Sequence, residues 1–214
     1  MPSLFFENRS RNVVTACLYQ TITSPPPGAA PVAWLTSLTQ VEGFWRVVWD
    51  LSLNYVWSQE QLLPGGDPST TGQVLRAGVA AGTSVPLTRS NGSLAFGAIA
   101  TGAPAGTLVI NQDDLVPRNA RAGIGMNGSA TILAPTQPNL PLAFAAASRT
   151  WLTVGSSYPR GTVMPAAPKP VQELVFDPGV DALYVSLGDD NTLTPPIPIS
   201  SARTALLRYA SWKS

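Results

Sequence analysis

The residues in this sequence that could do chemistry are few, and the densest groups are two acidic clusters. Asp113-Asp114 and Asp189-Asp190-Asn191 each place carboxylate oxygens next to one another, and such oxygens are the ligands that Ca²⁺ prefers. Neither cluster has the spacing of an EF-hand loop, and the same residue types are common in solvated turns. The sequence favours turns and leaves Ca²⁺ binding open at both clusters.

The side chains on which most enzymes depend are missing. The chain has no histidine, which removes the commonest general base and metal ligand, and its single cysteine excludes a thiolate zinc site. Cys17 lies in the apolar run Val13–Tyr19, where we expect a buried and inert thiol. The glycines of 123–128 match a phosphate-binding spacing, but no strand–helix–strand unit surrounds them, so a strand entering a turn is the better interpretation. We expect a non-enzymatic protein without a cofactor.

Aromatic residues near loops supply a second candidate chemistry. Trp34, Tyr158 and Trp212 lie in less regular surroundings than the other large aromatics. An exposed ring can stack on a sugar or anchor in a membrane interface. Binding of a glycan or a lipid head group is therefore one functional hypothesis.

The C-terminal segment Ser200–Ser214 is the other candidate for binding or assembly. Its apolar positions fit a helix, and an alternating strand fits nearly as well. The segment is basic and contains no acidic residue, and it could dock on its own domain or on a neighbouring subunit. The candidate assembly residues in it are Arg203, Leu206, Arg208, Tyr209 and Trp212.

The elements that must position these candidates are β-strands, and the clearest strand pattern in the sequence is the stretch Phe44–Trp57. Its odd positions are all apolar, including Trp45, Trp49 and Trp57, and its even positions are largely polar. This period of two is typical of a strand with one buried face. Because one unbroken strand of this length would be unusual, it must bend or be split by a turn near Ser52–Asn54.

The rest of the chain reads as short strands separated by turns. Ser3–Glu7 and Val13–Gln20 flank a polar turn and suggest a hairpin, and Asn91-Gly92 and Asn127-Gly128 predict hairpins with type I′ turns. About a dozen strands at this spacing are typical of an antiparallel sandwich. We predict an all-β, jelly-roll-like β-sandwich in a single domain over residues 1–193, followed by a short tail, 194–214, that fits either helix or strand.

Composition narrows the possible partners. Only 12% of residues are charged and the net charge is +1, so nothing favours nucleic acid as a partner. A surface poor in charge tends to associate, which predicts a homo-oligomer. No signal peptide and no transmembrane stretch is evident, so we expect a cytoplasmic protein or one exported without a cleaved signal.

Several stretches resemble the RhiA family, named after a rhizosphere-expressed protein of rhizobia. They are LFFENRSRNVVTACLYQ with VAWLTS, then FWRVVWDLSLNYVWSQ, then the long segment 120–155 with GIGM-NGS and TWLTVG, and LVFDPGVDALYVSLGDDNT. The resemblance spans about residues 4–192 and implies a small soluble β-sandwich of bacteria, regulated by quorum sensing, with no known enzymatic activity. It supplies no functional residues. We expect a structural, self-associating protein that assembles through edge strands and the tail, with glycan or lipid binding as the alternative.

Overall fold

The chain folds almost entirely into β-structure. A computed structural model describes residues 1–61, 69–90, 92–202 and 209–210. The strands are β1 (Ser3–Asn8), β2 (Val14–Ile22), β3 (Ala30–Pro31), β4 (Leu35–Thr39), β5 (Phe44–Val48), β6 (Leu53–Gln61), β7 (Ser69–Leu75), β8 (Thr83–Ser90), β9 (Ser93–Phe96), β10 (Ala100–Thr101), β11 (Thr107–Gln112), β12 (Ala120–Met126), β13 (Ser129–Pro135), β14 (Leu142–Ala145), β15 (Ser148–Gly155), β16 (Val171–Leu174), β17 (Ala182–Leu187) and β18 (Ile197–Pro198), with a short 3₁₀ turn at Ile199–Ser201. The predicted all-β, sandwich-like fold is confirmed.

The strands fall into two compact units. Unit 1 contains residues 1–20, 33–51 and 149–214, and unit 2 contains residues 21–32 and 52–148. The chain therefore passes between the units four times, and most of unit 2 is built in the long segment 52–148. The predicted boundary at residue 193 separates the tail from the rest and stays a prediction.

Unit 1 contains two four-stranded sheets. One has the strand order β18-β17-β1-β5 and the other β16-β15-β2-β4. In the first sheet β1 pairs in parallel with β17 and antiparallel with β5. Large side chains fill the interior, among them Trp34 and Trp49, whose rings meet edge to face with centroids 5.8 Å apart.

Unit 2 contains two five-stranded sheets around one apolar core. The first has the order β10-β8-β11-β14 with β9 also on β8, and the second has the order β3-β13-β12-β6-β7. Core side chains come from both sheets, for example Tyr55 and Ile124 from one and Leu108 and Phe144 from the other. Burial of such side chains is the main favourable contribution to folding.

The stretch Phe44–Trp57 is split into two strands, as we expected because one unbroken strand of that length would be unusual. β5 ends at Val48 and β6 begins at Leu53, so the break precedes most of the predicted turn at Ser52–Asn54. The two halves belong to different units. Trp49 and Trp57 are buried as predicted, whereas Trp45 is half-buried. The expected exposure of the even positions is wrong at Asn54, which is fully buried because its side chain bonds the turn that follows β12.

The two Asn-Gly hairpins are present. β12 and β13 pair antiparallel, and both Asn127 and Gly128 have positive φ, as a type I′ turn requires. β8 and β9 pair in the same way around Gly92, while Asn91 lies outside the described residues. The glycine pattern at 123–128 is a strand entering a turn, as predicted.

The hairpin predicted at the N-terminus is wrong. β1 pairs with β17 and β5, and β2 pairs with β4 and β15, so the two strands lie in different sheets. The polar segment between them carries the chain from one sheet to the other: Asn8 bonds the end of β4, and the backbone N–H of Arg9 bonds the Leu187 carbonyl. Its contacts belong to the candidate site.

Candidate functional site

Unit 1 contains a buried carboxylate at the end of β1. Glu7 is 1% exposed, and its Oε2 accepts hydrogen bonds from the Arg9 guanidinium at 2.8 Å and from the Tyr184 hydroxyl. Arg9 also donates to the Tyr184 hydroxyl at 2.8 Å. The three side chains thus form a closed cluster across the parallel pair β1 and β17.

The electrostatics of this cluster keep Tyr184 and Arg9 protonated. Burial, reinforced by the hydrogen bond to Glu7, raises the pKa of Tyr184 to about 12, so the phenol stays protonated and donates. The hydrogen bond to Glu7 raises the pKa of Arg9 above its usual value. A phenol held protonated in this way is a poor general base near neutral pH. The cluster fixes β1 against β17.

Asn8 continues this polar segment into the interior. It is fully buried, and its Nδ2 donates to the carbonyls of Asn12, Thr39 and Gln40 at 2.8, 3.2 and 3.0 Å. Its Oδ1 accepts from the backbone and side chain of Ser10. The segment expected to be a polar hairpin turn therefore contains a polar hub, with Asn8 and Ser10 buried, that joins β1 to the end of β4.

A pocket of about 340 Å³ opens beside the exit of this segment, at one end of unit 1. Its lining residues are Asn12, Val13, Val14, Val154, Gly155, Ser156, Lys169, Pro170, Leu187 and Asn191. They come from both sheets of the unit and from the segment between β15 and β16. The pocket has an apolar floor and a polar rim with one cation.

The second feature with functional potential is an edge of unit 1. Among the described strands, β4 pairs only with β2, which leaves its other side without a partner. The strand reads LTSLT and carries no charge and no proline, the usual protection of an edge. Leu38 on it is 62% exposed, and Val41 in the following turn is 44% exposed.

Of the residues predicted as exposed aromatic binders, Trp34 is placed differently. The expectation that it is exposed is wrong. Trp34 directly precedes β4, and its side chain is fully buried against Trp49 in the interior of unit 1. Tyr158 is half-buried and packs on the cluster of Cys17, Tyr19, Ala33 and Met164. Trp212 lies outside the described residues. The glycan or lipid hypothesis thus has no exposed aromatic platform among the large exposed side chains that the structure describes.

The described part of the tail packs on its own unit. Tyr209 meets the rings of Phe5 and Phe44 edge to face, at 5.7 and 5.6 Å. Ala202 and Ile199 pack with Tyr184 on the same sheet. Arg203, Leu206 and Arg208 lie outside the described residues, as Trp212 does. Tyr209 and Ala210 are helical, so the sequence alternatives for the rest of the tail stay open.

The remaining candidates for chemistry are committed to the fold. Cys17 is buried, as predicted, and burial raises the pKa of its thiol to about 12, which disfavours the reactive thiolate. Asp190 Oδ1 accepts from the backbone and hydroxyl of Thr192, and Asp189 pairs with Arg11 at 3.6 Å. Asp113 caps the backbone N–H of Leu115. Within the described ranges no group of three or more acidic, cysteine or histidine side chains converges as a metal site would require.

Sequence reasoning missed both the Glu7–Arg9–Tyr184 cluster and the pocket. The sequence does contain a signal for the cluster. The charged Glu7 directly follows the apolar run of β1, and β17, which reads ALYVSL, includes Tyr184 among its apolar residues. What could not be read is that the two strands are neighbours, because they are far apart in the chain. The pocket depends on the same pairing.

Comparisons with known proteins agree with the resemblance described above. A family model described as RhiA matches residues 2–195. Protein RhiA of Rhizobium leguminosarum bv. viciae is 31% identical over 195 residues, which are 89% of this chain and 84% of the relative. No solved structure matches the chain. The described residues contain no helix of the length and hydropathy needed to span a bilayer. On the extent of these two matches, the chain belongs to the RhiA family.

Proposed function

We propose that this protein is a non-enzymatic, self-associating β-protein that forms a homo-oligomer through the unpaired edge of β4. The observation that carries the proposal is the exposed Leu38 on an edge strand that has neither charge nor proline. Such edges pair readily with another chain unless they are covered. A cytoplasmic location, or export without a cleaved signal, remains part of the proposal.

The chemistry of the described residues supports the non-enzymatic part. Histidine is absent, Cys17 is inert, and the tyrosine that contacts a carboxylate has a raised pKa. Catalysis by groups of this kind would require the opposite arrangement, an accessible group with a pKa near the working pH. The proposal therefore assigns the protein a role in assembly.

The geometry of β4 suits a two-fold contact. Two copies of an edge strand can pair antiparallel about a two-fold axis, so that each copy of Leu38 meets the same surface of its partner. Burying the exposed part of two leucines would contribute roughly 2–4 kcal/mol, and the backbone hydrogen bonds would fix the register. The described tail residues already pack on their own unit, so the edge is the more direct route to assembly.

The test compares Leu38→Lys with Leu115→Lys in the full chain. Leu38 is 62% exposed on β4, and Leu115 is 59% exposed in a loop of unit 2, so the two substitutions are matched in chemistry and exposure. We expect a multimeric mass by analytical ultracentrifugation for the natural chain and for Leu115→Lys, and a monomeric mass for Leu38→Lys. A monomeric natural chain, or a Leu38→Lys variant of unchanged mass, would overturn the proposal. Circular dichroism checks that both variants are folded.

A further inference from the structure

We propose that the pocket of unit 1 binds small organic carboxylates that carry a short apolar group. The site is separate from the edge of β4, so this inference does not rest on the proposed assembly. It rests on four observations: a formed cavity, an apolar floor, a rim of uncommitted polar groups, and one positive charge.

The cavity is held open by buried contacts. Thr153 is fully buried, and its hydroxyl donates to the Pro170 carbonyl at 2.6 Å, which holds the Lys169–Pro170 segment against β15. The backbone N–H of Arg9 donates to the Leu187 carbonyl at 2.9 Å, which ties the polar segment to the end of β17. Because its walls are bonded to strands, the cavity does not need to form on binding, and small-ligand sites are usually of this kind.

The floor of the pocket is apolar. Val14, Val154 and Leu187 are buried side chains at the ends of three strands, and Val13 beside them is exposed. A ligand with an aliphatic end would cover Val13 and the small part of Val14 and Val154 that water still reaches. The volume of about 340 Å³ lies at the lower end of the range for small-molecule sites, so the aliphatic end must be short.

The rim carries four polar side chains without partners in the described parts of the chain. The amides of Asn12 and Asn191, the hydroxyl of Ser156 and the ammonium of Lys169 make no hydrogen bond or salt bridge to described residues. All four side chains are exposed to water, so they are free to turn toward a bound molecule. Four donors around one cavity would suit a ligand that accepts hydrogen bonds.

The charge of the site selects an anion. Lys169 is the charged residue of the lining. Outside the lining, Asp189 is paired with Arg11, whereas Asp190 accepts hydrogen bonds from Thr192 and keeps its charge. A carboxylate can accept both from the ammonium and from the amide groups, whereas an amine would be repelled. The combination of floor and rim therefore points to a short-chain carboxylate.

The test uses pentanoate, with 1-pentanol and pentylamine as probes of equal length and different charge. In two-dimensional NMR of the full chain we expect pentanoate to shift the methyl signals of Val14, Val154 and Leu187 saturably at millimolar concentration. The alcohol should bind more weakly, and the amine should give no saturable shift. If pentanoate leaves these signals unchanged, or if pentylamine shifts them as strongly, the proposal is wrong.

A pair of charge variants assigns the anion selectivity to Lys169. Lys169→Met keeps the aliphatic stem and removes the charge, and we expect it to weaken pentanoate binding by about fivefold while leaving pentanol binding unchanged. Arg118→Met removes an exposed cation in unit 2 and is the matched control, which should bind pentanoate as the natural chain does. An equal loss in both variants, or none in Lys169→Met, would contradict the assignment.

Discussion

Unit 1 and unit 2 are both built from paired sheets, but they stabilise their strand pairing by different means. Unit 1 buries the Glu7 carboxylate and the Asn8 amide next to strands that come from distant parts of the chain. Unit 2 buries no charged side chain among its described residues, and its sheet around β12 depends on glycine and an Asn-Gly turn. Distant strands pair in unit 2 as well, β6 with β12 and β3 with β13, and the buried polar contact there is the Asn54 amide on the turn after β12. The contrast is therefore between a buried charge in unit 1 and a turn conformation with close glycine packing in unit 2.

The largest effect on stability is expected from a substitution that disrupts the glycine packing of unit 2. A Cβ at Gly125 would lie 1.8 Å from the Ser129 carbonyl oxygen and 2.7 Å from Asn54 Nδ2, and backbone cannot move aside as a flexible side chain can. We expect Gly125→Ala to lower the free energy of unfolding in urea by ~3 kcal/mol.

The control for this prediction is Gly102→Ala in the same unit. Gly102 has a φ of +100° and nothing within 4 Å of the added methyl group, so only backbone strain remains, at ~1 kcal/mol. If the two variants lose equal stability, the close contact at Gly125 is not what stabilises the pairing of β12 with β13. The rate at which a thiol reagent labels Cys17, a unit 1 residue, then shows whether damage in unit 2 also opens unit 1.

A smaller effect is expected when the polar cluster of unit 1 is broken. Glu7→Gln removes the charge opposite Arg9 and places an amide donor among donors, which should lower the free energy of unfolding by about 2 kcal/mol. The loss stays below that of a fully buried ion pair because the Arg9 side chain is 40% exposed. Glu42→Gln, an exposed carboxylate in the same unit, should be close to neutral. Equal stability of the two variants would show that the cluster does not specify the β1–β17 pair.

The smallest effect is a pH dependence of about 1 kcal/mol. The pKa of Tyr184 in the folded protein is about 12, above the usual phenol value near 10, so its contribution to stability is complete below pH 10 and is lost between pH 10 and 12. Tyr184→Phe should be less stable than the natural chain at pH 8, and the difference should close as the pH approaches 12. Thermal melts at a series of pH values measure the difference, and a constant difference across that range would contradict the raised pKa. Burial also raises the pKa values of Tyr19 and Cys17, so both groups titrate in the same pH range. Their contribution is the same in both proteins and cancels when the stability of Tyr184→Phe is subtracted from that of the natural chain.

The same contrast explains which parts of the molecule could be predicted from sequence. The hairpin of β12 and β13 was readable because its signal is local: two strands and the Asn127-Gly128 turn lie within one short stretch. The alternation over Phe44–Trp57 was equally readable, but the transfer of the chain from one unit to the other at Trp49–Ser52 has no local signature.

The parts that were missed are those that long-range pairing decides. ENRSRN has the composition of a turn, and nothing in it states that Glu7 meets a tyrosine 177 positions later. Trp34 has the surroundings of a loop residue, and its burial involves an edge-to-face contact with Trp49, which directly follows β5 and lies 15 positions later in the chain. The candidate pocket likewise combines residues from the first, middle and last thirds of unit 1, so no single stretch predicts it.

The parallel pairing of β1 with β17 also sets an order of events during synthesis. The hydrogen bond from Ser3 to Asp181 spans 178 residues, and every strand of unit 2 is made between these two ends. At ~5–20 residues per second, β1 leaves the ribosome roughly 10 to 35 seconds before the strand that will lie beside it. Unit 2 can close in that interval, while the first strand waits with its apolar face and one edge open. The time between the two ends of unit 1 is therefore when the nascent chain is most exposed to misassembly.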